Sequence, residues 1–187
     1  MQLIDTRLDG PLLIQPKVFG DERGFFAETY RRSVFADLGI PEEMVQDNHS
    51  RSGQHIVRGM HFQIGQGAAK LVRCGRGAIV DVVVDVRRGS PTFGEWEAVE
   101  LTDENHRMFY VPVGFAHGFC VLSEVADVFY KQSGYYADAT ERGISFRDPE
   151  VGIEWPVPAD QLVPNKRDLE APTLREVEAE LPFTYGS

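Results

Sequence analysis

Short apolar or alternating runs, each broken by Gly, Pro or Asp, recur along most of the chain. The clearest span 12–14, 77–86, 98–101, 108–113, 119–122 and 127–130. Runs of this length and spacing predict an all-β sandwich or barrel. The stretch 57–63 reads as a further strand punctuated by Gly59. The strongest strand signal is 78–86, which is β-branched almost throughout. Alternation places its Asp81 and Asp85 on one face with Val83. Two carboxylates on so apolar a strand need partners, and backbone N–H groups or arginines are expected ahead of a catalytic pair. In Phe129-Tyr130 the same alternation turns Tyr130 to the barrel mouth and Phe129 to the core. Of Phe25-Phe26 it sends Phe26 outward and leaves Phe25 for the core.

Helical signals are few. One short helix is predicted over 32–38, closed by Gly39 and followed by Pro41. A second is predicted over 173–181, where Thr173 follows Pro172 and Glu176 stands three residues on, a capping-box pattern. The length of 187 residues suits one domain over 1–187 with a short helical tail from about 172.

The formal net charge of −10 argues against nucleic acid or an anionic membrane as partner. An anionic small molecule would need a local basic cluster, for which Arg23, Arg58, Lys70, Lys166 and Arg167 are candidates. Cys74 and Cys120 lie in no metal-type spacing and read as reduced thiols, a disulfide between them being the less expected alternative. Residues 1–5 carry neither a basic nor an apolar leader region, so a cytoplasmic location is expected. No apolar run approaches membrane-spanning length.

The chemistry concentrates in Arg58-Gly59-Met60-His61-Phe62-Gln63 with Lys70 downstream. A histidine can take a proton near neutral pH, a lysine can hold the charge left behind, and an arginine can grip an anionic handle. Together they point to proton abstraction beside a carbonyl on a phosphorylated substrate. The run Pro112-Val113-Gly114-Phe115-Ala116-His117 resembles the second signature of cupin barrels, with the glycine turning the chain and the histidine pointing inward. Metal-dependent cupins supply His-x-His and a glutamate from their first signature. Here that stretch reads His61-Phe62-Gln63, leaving only His61 and His117 of four ligands. No metal and no cofactor are therefore expected.

The chain is identified as resembling the dTDP-4-dehydrorhamnose 3,5-epimerase family. The resemblance rests on the run from Asp21 to Phe26 with Glu28, on Gln46-Asp47-Asn48 with Ser50, and on the 58–63 run with Lys70-Leu71-Val72. It continues through 81–87, Ser90 to Gly94, 112–119, Tyr130-Lys131, Asp148-Pro149 and Ile153 to Pro156. It implies a cupin-type jelly roll and a cofactor-free isomerase. The implied reaction inverts C3 and C5 of dTDP-4-keto-6-deoxy-D-glucose in dTDP-L-rhamnose biosynthesis.

By the same resemblance His61 is the proton acceptor, Asp168 its orienting carboxylate, Tyr130 the proton donor and Lys70 the cation at the enolate. Substrate contacts fall on Arg23, Phe26, Glu28, Gln46, Asp47, Asn48, Arg58, Lys70, His117, Tyr136, Glu141 and Lys166. Arg23 and Arg58 face the diphosphate, and Phe26 and Tyr136 are candidates for stacking on thymine. A homodimer is implied, with the N-terminal region completing the neighbour's pocket. Two alternatives stand beside this reading. One is a single-site epimerase of a nucleotide keto-sugar from an antibiotic pathway. The other is a non-catalytic cupin that binds a sugar nucleotide.

Overall fold

The computed structural model describes residues 1–186. Thirteen strands dominate it, and most fall into two facing antiparallel sheets, a cupin jelly roll. The first sheet holds six strands in the order β1 (Gln2–Ile4), β2 (Leu12–Gln15), β10 (Met108–Val111), β7 (Lys70–Arg76), β12 (Val125–Gln132) and β5 (Gln46–Gly53). The second runs β13 (Glu141–Gly143), β6 (Val57–Gln63), β11 (Phe115–Val121), β8 (Ala78–Asp85) and β9 (Trp96–Thr102). A separate hairpin pairs β3 (Val18–Asp21) with β4 (Gly24–Ala27).

Period-two alternation decides what each sheet buries. On β8, Ile79 and Val83 join Phe115, Phe119 and Val121 of β11 inside the barrel, where they meet Val72, Phe109 and Val128 of the opposite sheet. Val82 and Val84 face the other way. They lie under the C-terminal segment, whose Leu162, Leu174, Leu181 and Phe183 cover Met60, Phe62 and Phe146. Helix α1 (Arg32–Asp37) seals the back of the six-stranded sheet, its fully buried Phe35 packing with Ile40 against Ile14, Leu71 and Met108. Burying each large apolar side chain stabilises by about 1.5–3 kcal/mol, so these three clusters hold the layers together.

The predicted helix over 173–181 forms as α3 (Leu174–Val177) followed by a 3-10 turn, Glu178–Glu180. Its capping box is present: Thr173 accepts from the Glu176 backbone while Glu176 accepts from Thr173. The four-residue helix α2 (Lys166–Leu169) was not predicted; Asn165 caps it by accepting from the Asp168 N–H at 2.8 Å. Cys74 and Cys120 are free, buried thiols in different clusters, and burial raises both to about 11.

Two aromatic expectations are corrected. Phe129 is not core: it lies on the outer face of the six-stranded sheet between the His49 ring at 4.2 Å and the Arg73 guanidinium at 4.5 Å. Tyr130 is the inward residue, packed on the interior cluster. Phe25 is not core either, being 64% exposed on the hairpin beside Phe26 at 70%. A two-stranded hairpin has no second layer, so neither of its faces is buried.

One irregularity shapes the interior. His61 pairs with His117 and Arg58 pairs with Phe119, so two residues of β6 oppose the single Gly118 of β11. This bulge turns Arg58 and His61 to the same side, although three residues apart on a regular strand they would point oppositely. Gly59 sits in it at φ +131°, and a Cβ there would meet Gly118 Cα at 2.5 Å. Gly59→Ala is expected to lower unfolding free energy by roughly 3 kcal/mol, read from the urea midpoint.

Candidate active site

The interior carries a polar patch where both sheets contribute. His61 comes from β6 and His117 from β11, both in the five-stranded sheet. Lys70 comes from β7, Tyr130 from β12, and Gln46 and Asn48 from β5, all in the six-stranded sheet.

The His61 Nε2 lies 2.7 Å from Asp168 Oδ1. Asp168 is 1% exposed, and its second oxygen accepts from the Gly59 N–H at 3.3 Å. A buried carboxylate held this way fixes the Nε2–H tautomer, which leaves the Nδ1 lone pair available as a base. The Asn165 cap aims Asp168 at the ring by starting α2 one residue after itself.

A second His–Asp pair lies alongside. His117 Nε2 meets Asp81 Oδ1 at 2.5 Å, and both are buried. Asp81 thus finds a histidine, not the backbone or arginine partner expected from the sequence. Asp85 does find an arginine, Arg87, together with Ser90 and Thr92. Burial lowers the His117 pKa against the pull of Asp81, and Lys70 nearby lowers it further. Asp81 Oδ2, Asn48 Nδ2 and Ser50 Oγ are buried without partners, so the interior carries unspent hydrogen-bonding capacity.

Lys70 reaches toward the other sheet, its Nζ 3.4 Å from the His61 carbonyl. Burial pulls the ammonium down to about 8, against the opposing pull of the Glu141 and Asp81 carboxylates. Burial also raises the Tyr130 phenol, and Glu141 adds to the rise while Arg58 opposes it. Arg58 is exposed, with its Nε donating to Ser52 Oγ at 3.0 Å.

The remaining predicted contacts divide. Gln46 Nε2 donates to Asn48 Oδ1 at 2.9 Å, and Gln46 Oε1 accepts from the Tyr136 N–H at 2.8 Å, so these three cluster at the mouth. Glu141 joins them, its Oε2 taking the Tyr136 hydroxyl at 3.0 Å and Arg167 Nη1 at 2.5 Å. Asp47 does not: alternation on β5 turns it to the outer face, where it pairs with Lys131. Lys166 is exposed and nearest Glu170, at 3.8 Å. Arg23, Phe26 and Glu28 lie at or just beyond the hairpin; Arg23 pairs with Asp21 and Glu28 with Arg31. The expected basic cluster is therefore not gathered within the chain.

Beside the dyad a cleft of about 610 Å³ is lined by Phe62, Glu141, Arg167, Asp168 and Leu181, among others. Sequence reasoning missed Gln63 as a buried polar group and the histidine partner of Asp81; the pairing of β8 with β11 is what brings Asp81 to His117. Among the described residues no three His, Cys, Asp or Glu side chains converge as a metal-holding group.

A cupin barrel with a histidine–carboxylate pair on one wall and an ammonium with a phenol on the other is suited to acid–base proton transfer, the chemistry of an isomerase. The family model for dTDP-4-dehydrorhamnose 3,5-epimerase matches residues 5–176. The chain is 50% identical to the Shigella flexneri dTDP-4-dehydrorhamnose 3,5-epimerase over 159 residues, covering 84% of this chain and 88% of that one. It is 42% identical to a Streptomyces niveus dTDP-4-dehydrorhamnose 3-epimerase over 190 residues, covering 100% and 91%. A crystal structure of the Legionella pneumophila dTDP-6-deoxy-D-glucose-3,5-epimerase in complex with dTDP-4-keto-L-rhamnose superposes with a TM-score of 0.95. The identity is 44%, and the match covers 100% of this chain and 99% of that one. The chain belongs to the dTDP-4-dehydrorhamnose 3,5-epimerase family.

The depressed Lys70 makes a stability prediction. The unfolded chain keeps this proton up to the ordinary value of 10.5 while the folded one releases it near 8, so unfolding free energy rises with pH across that window. At pH 7 the buried charge is a cost, and Lys70→Met should stabilise by about 2 kcal/mol. That gain should shrink in urea titrations as pH rises from 8 towards 10.5.

Proposed function

We propose that this protein inverts C3 and C5 of dTDP-4-keto-6-deoxy-D-glucose, giving dTDP-4-keto-L-rhamnose for dTDP-L-rhamnose synthesis. The observation that carries the reading is the placement of His61 and Tyr130 on opposite sheets. Inversion at a carbon needs a base on one face of the sugar ring and an acid on the other. A ring held between two sheets meets both without turning over.

The C4 ketone acidifies the hydrogens at C3 and C5. His61 Nδ1 removes one of them, and the imidazolium that forms is stabilised by Asp168. Charge moves onto the C4 oxygen, where the Lys70 ammonium meets it. Losing a comparable preorganised donor costs about 3–4 kcal/mol in other enzymes. Tyr130 then returns a proton to the opposite face. Its raised pKa keeps the phenol protonated at neutral pH, as a donor must be. His117, Gln46 and Asn48 hydrogen-bond the sugar and nucleotide, and Arg58 reaches the diphosphate. Tyr136 supplies a ring for thymine.

The hairpin residues act across a homodimer. Arg23, Phe26 and Glu28 lie on or beside a hairpin that packs on neither sheet of its own barrel, with Phe19, Phe25 and Phe26 exposed. In a dimer they complete the neighbour's mouth, which supplies the basic and aromatic groups one protomer lacks. The protein works in the cytoplasm; no helix among the described residues is long and apolar enough to cross a membrane.

A second reading is inversion at C3 alone, favoured by the full-length similarity to the Streptomyces niveus 3-epimerase. Incubation with dTDP-4-keto-6-deoxy-D-glucose in D₂O, followed by NMR, decides between them. Deuterium at C3 and C5 is expected, and label at C3 only would replace the double inversion with the single one. His61→Asn should lower kcat by at least about 10³-fold with dTDP binding within threefold of wild type. In the pH profile kcat/KM should fall above pH 8 as Lys70 loses its proton, and Lys70→Arg should remove that limb. Light scattering should give twice the 21.0 kDa chain mass.

A further inference from the structure

Arg167 has no part in the proposed reaction, yet it stands next to Asp168 and lines the same cleft. Its Nη1 meets Glu141 Oε2 at 2.5 Å, and the same oxygen accepts the Tyr136 hydroxyl at 3.0 Å. The Arg167 guanidinium and the Tyr136 hydroxyl thus share the Glu141 carboxylate. Asp138 is the other hydrogen-bond partner of that hydroxyl. The Tyr136 N–H in turn donates to Gln46. Helix α2, strand β13 and strand β5 thus meet the loop over 133–140 at one aromatic residue. The Arg167 side chain is 51% exposed, but its partner Glu141 is only 14% exposed, so the pair is shielded on one side.

From this network we infer that Arg167 and Glu141 form a latch that pins the Tyr136 loop over the barrel mouth, making Arg167 a positioning residue for the nucleotide end of the substrate. The inference rests on the reading of Tyr136 as the thymine platform. Asp168 does not depend on the latch, since the Asn165 cap and the Gly59 N–H hold it independently. Loss of Arg167 should therefore loosen nucleotide binding and spare the proton-transfer step. A cation is required at this position to pair the Glu141 carboxylate, which is only 14% exposed.

The test uses Arg167→Gln, Arg167→Lys and Tyr136→Phe in the full chain. Arg167→Gln should raise KM for dTDP-4-keto-6-deoxy-D-glucose about tenfold with kcat within threefold, and Arg167→Lys should recover most of the loss. In a Tyr136→Phe background the same change should add less than about twofold, because the hydroxyl that shares Glu141 is already gone. Amide exchange over 133–140, read without substrate, should speed up at least about tenfold in Arg167→Gln. Arg175→Gln, which breaks the exposed Arg175–Glu150 pair on α3, should leave that exchange unchanged. Unchanged exchange in Arg167→Gln overturns the latch, and so does a fall in kcat at constant KM, which would place Arg167 in support of the dyad. If the wild type fails to turn over the keto-sugar, the proposed reaction falls while the exchange result still decides the latch.

Discussion

The contact between His61 Nε2 and Asp168 Oδ1 is the constraint around which this molecule is arranged. It joins residues 107 positions apart and holds a carboxylate with 1% exposure. Such a carboxylate is costly to bury unless each of its oxygens is engaged. One oxygen takes the imidazole and the other takes the Gly59 N–H, which is free to turn toward it because β6 bulges there. The bulge needs a residue without a side chain, because Gly118 of the neighbouring strand lies where a Cβ would go. On the other side Asn165 starts α2 at the one place that carries Asp168 under the ring. Displacing the C-terminal segment would take this carboxylate away and leave the His61 Nε2 and the Gly59 N–H without their partner.

Electrostatics divide the chain in the same economical way. The protein carries a net charge of −10, yet it places an ammonium in the barrel and pairs two histidines with aspartates there. A cation pulled down to about 8 by burial is still mostly charged at neutral pH, and it is poorly solvated. It gains most when an anion forms beside it, so in the proposed reaction the stability lost in burying Lys70 would return as stabilisation of the enolate. Asp81 and Glu141 keep the proton on that lysine by flanking it with negative charge.

Much of the architecture was legible because the strands obey period two and are bounded by Gly and Pro. His61, Lys70, Tyr130 and Asp168 were singled out through the resemblance of their motifs; the structure turns His61 inward from one sheet and Lys70 and Tyr130 from the other, with Asp168 bonded to His61. What could not be read was which face of a strand is inside when both carry large residues. Phe129 looked like core and Tyr130 like rim, but β12 turns the tyrosine inward and clamps the phenylalanine outside between His49 and Arg73. Asp47 follows the same rule: it sits between Gln46 and Asn48, which face inward, and its side chain faces outward to Lys131. The Asp81–His117 pair depends on the register of β8 against β11, a long-range fact that no local pattern encodes.

The two His–Asp pairs show why geometry, and not residue type, sets the division of labour. Both use Nε2 to a buried aspartate, and the two histidines are direct neighbours across the β6–β11 ladder. The His61 side chain keeps 23% exposure and has a free Nδ1 toward which a substrate hydrogen can be brought. The His117 side chain keeps 8%, and burial together with Lys70 disfavours its charged form. In the proposed reaction the base must accept a proton and then tolerate the resulting charge, which favours the more open ring with its doubly anchored carboxylate. His117 stays neutral and can only donate or accept a hydrogen bond. That suits a group that orients a sugar without competing for its protons.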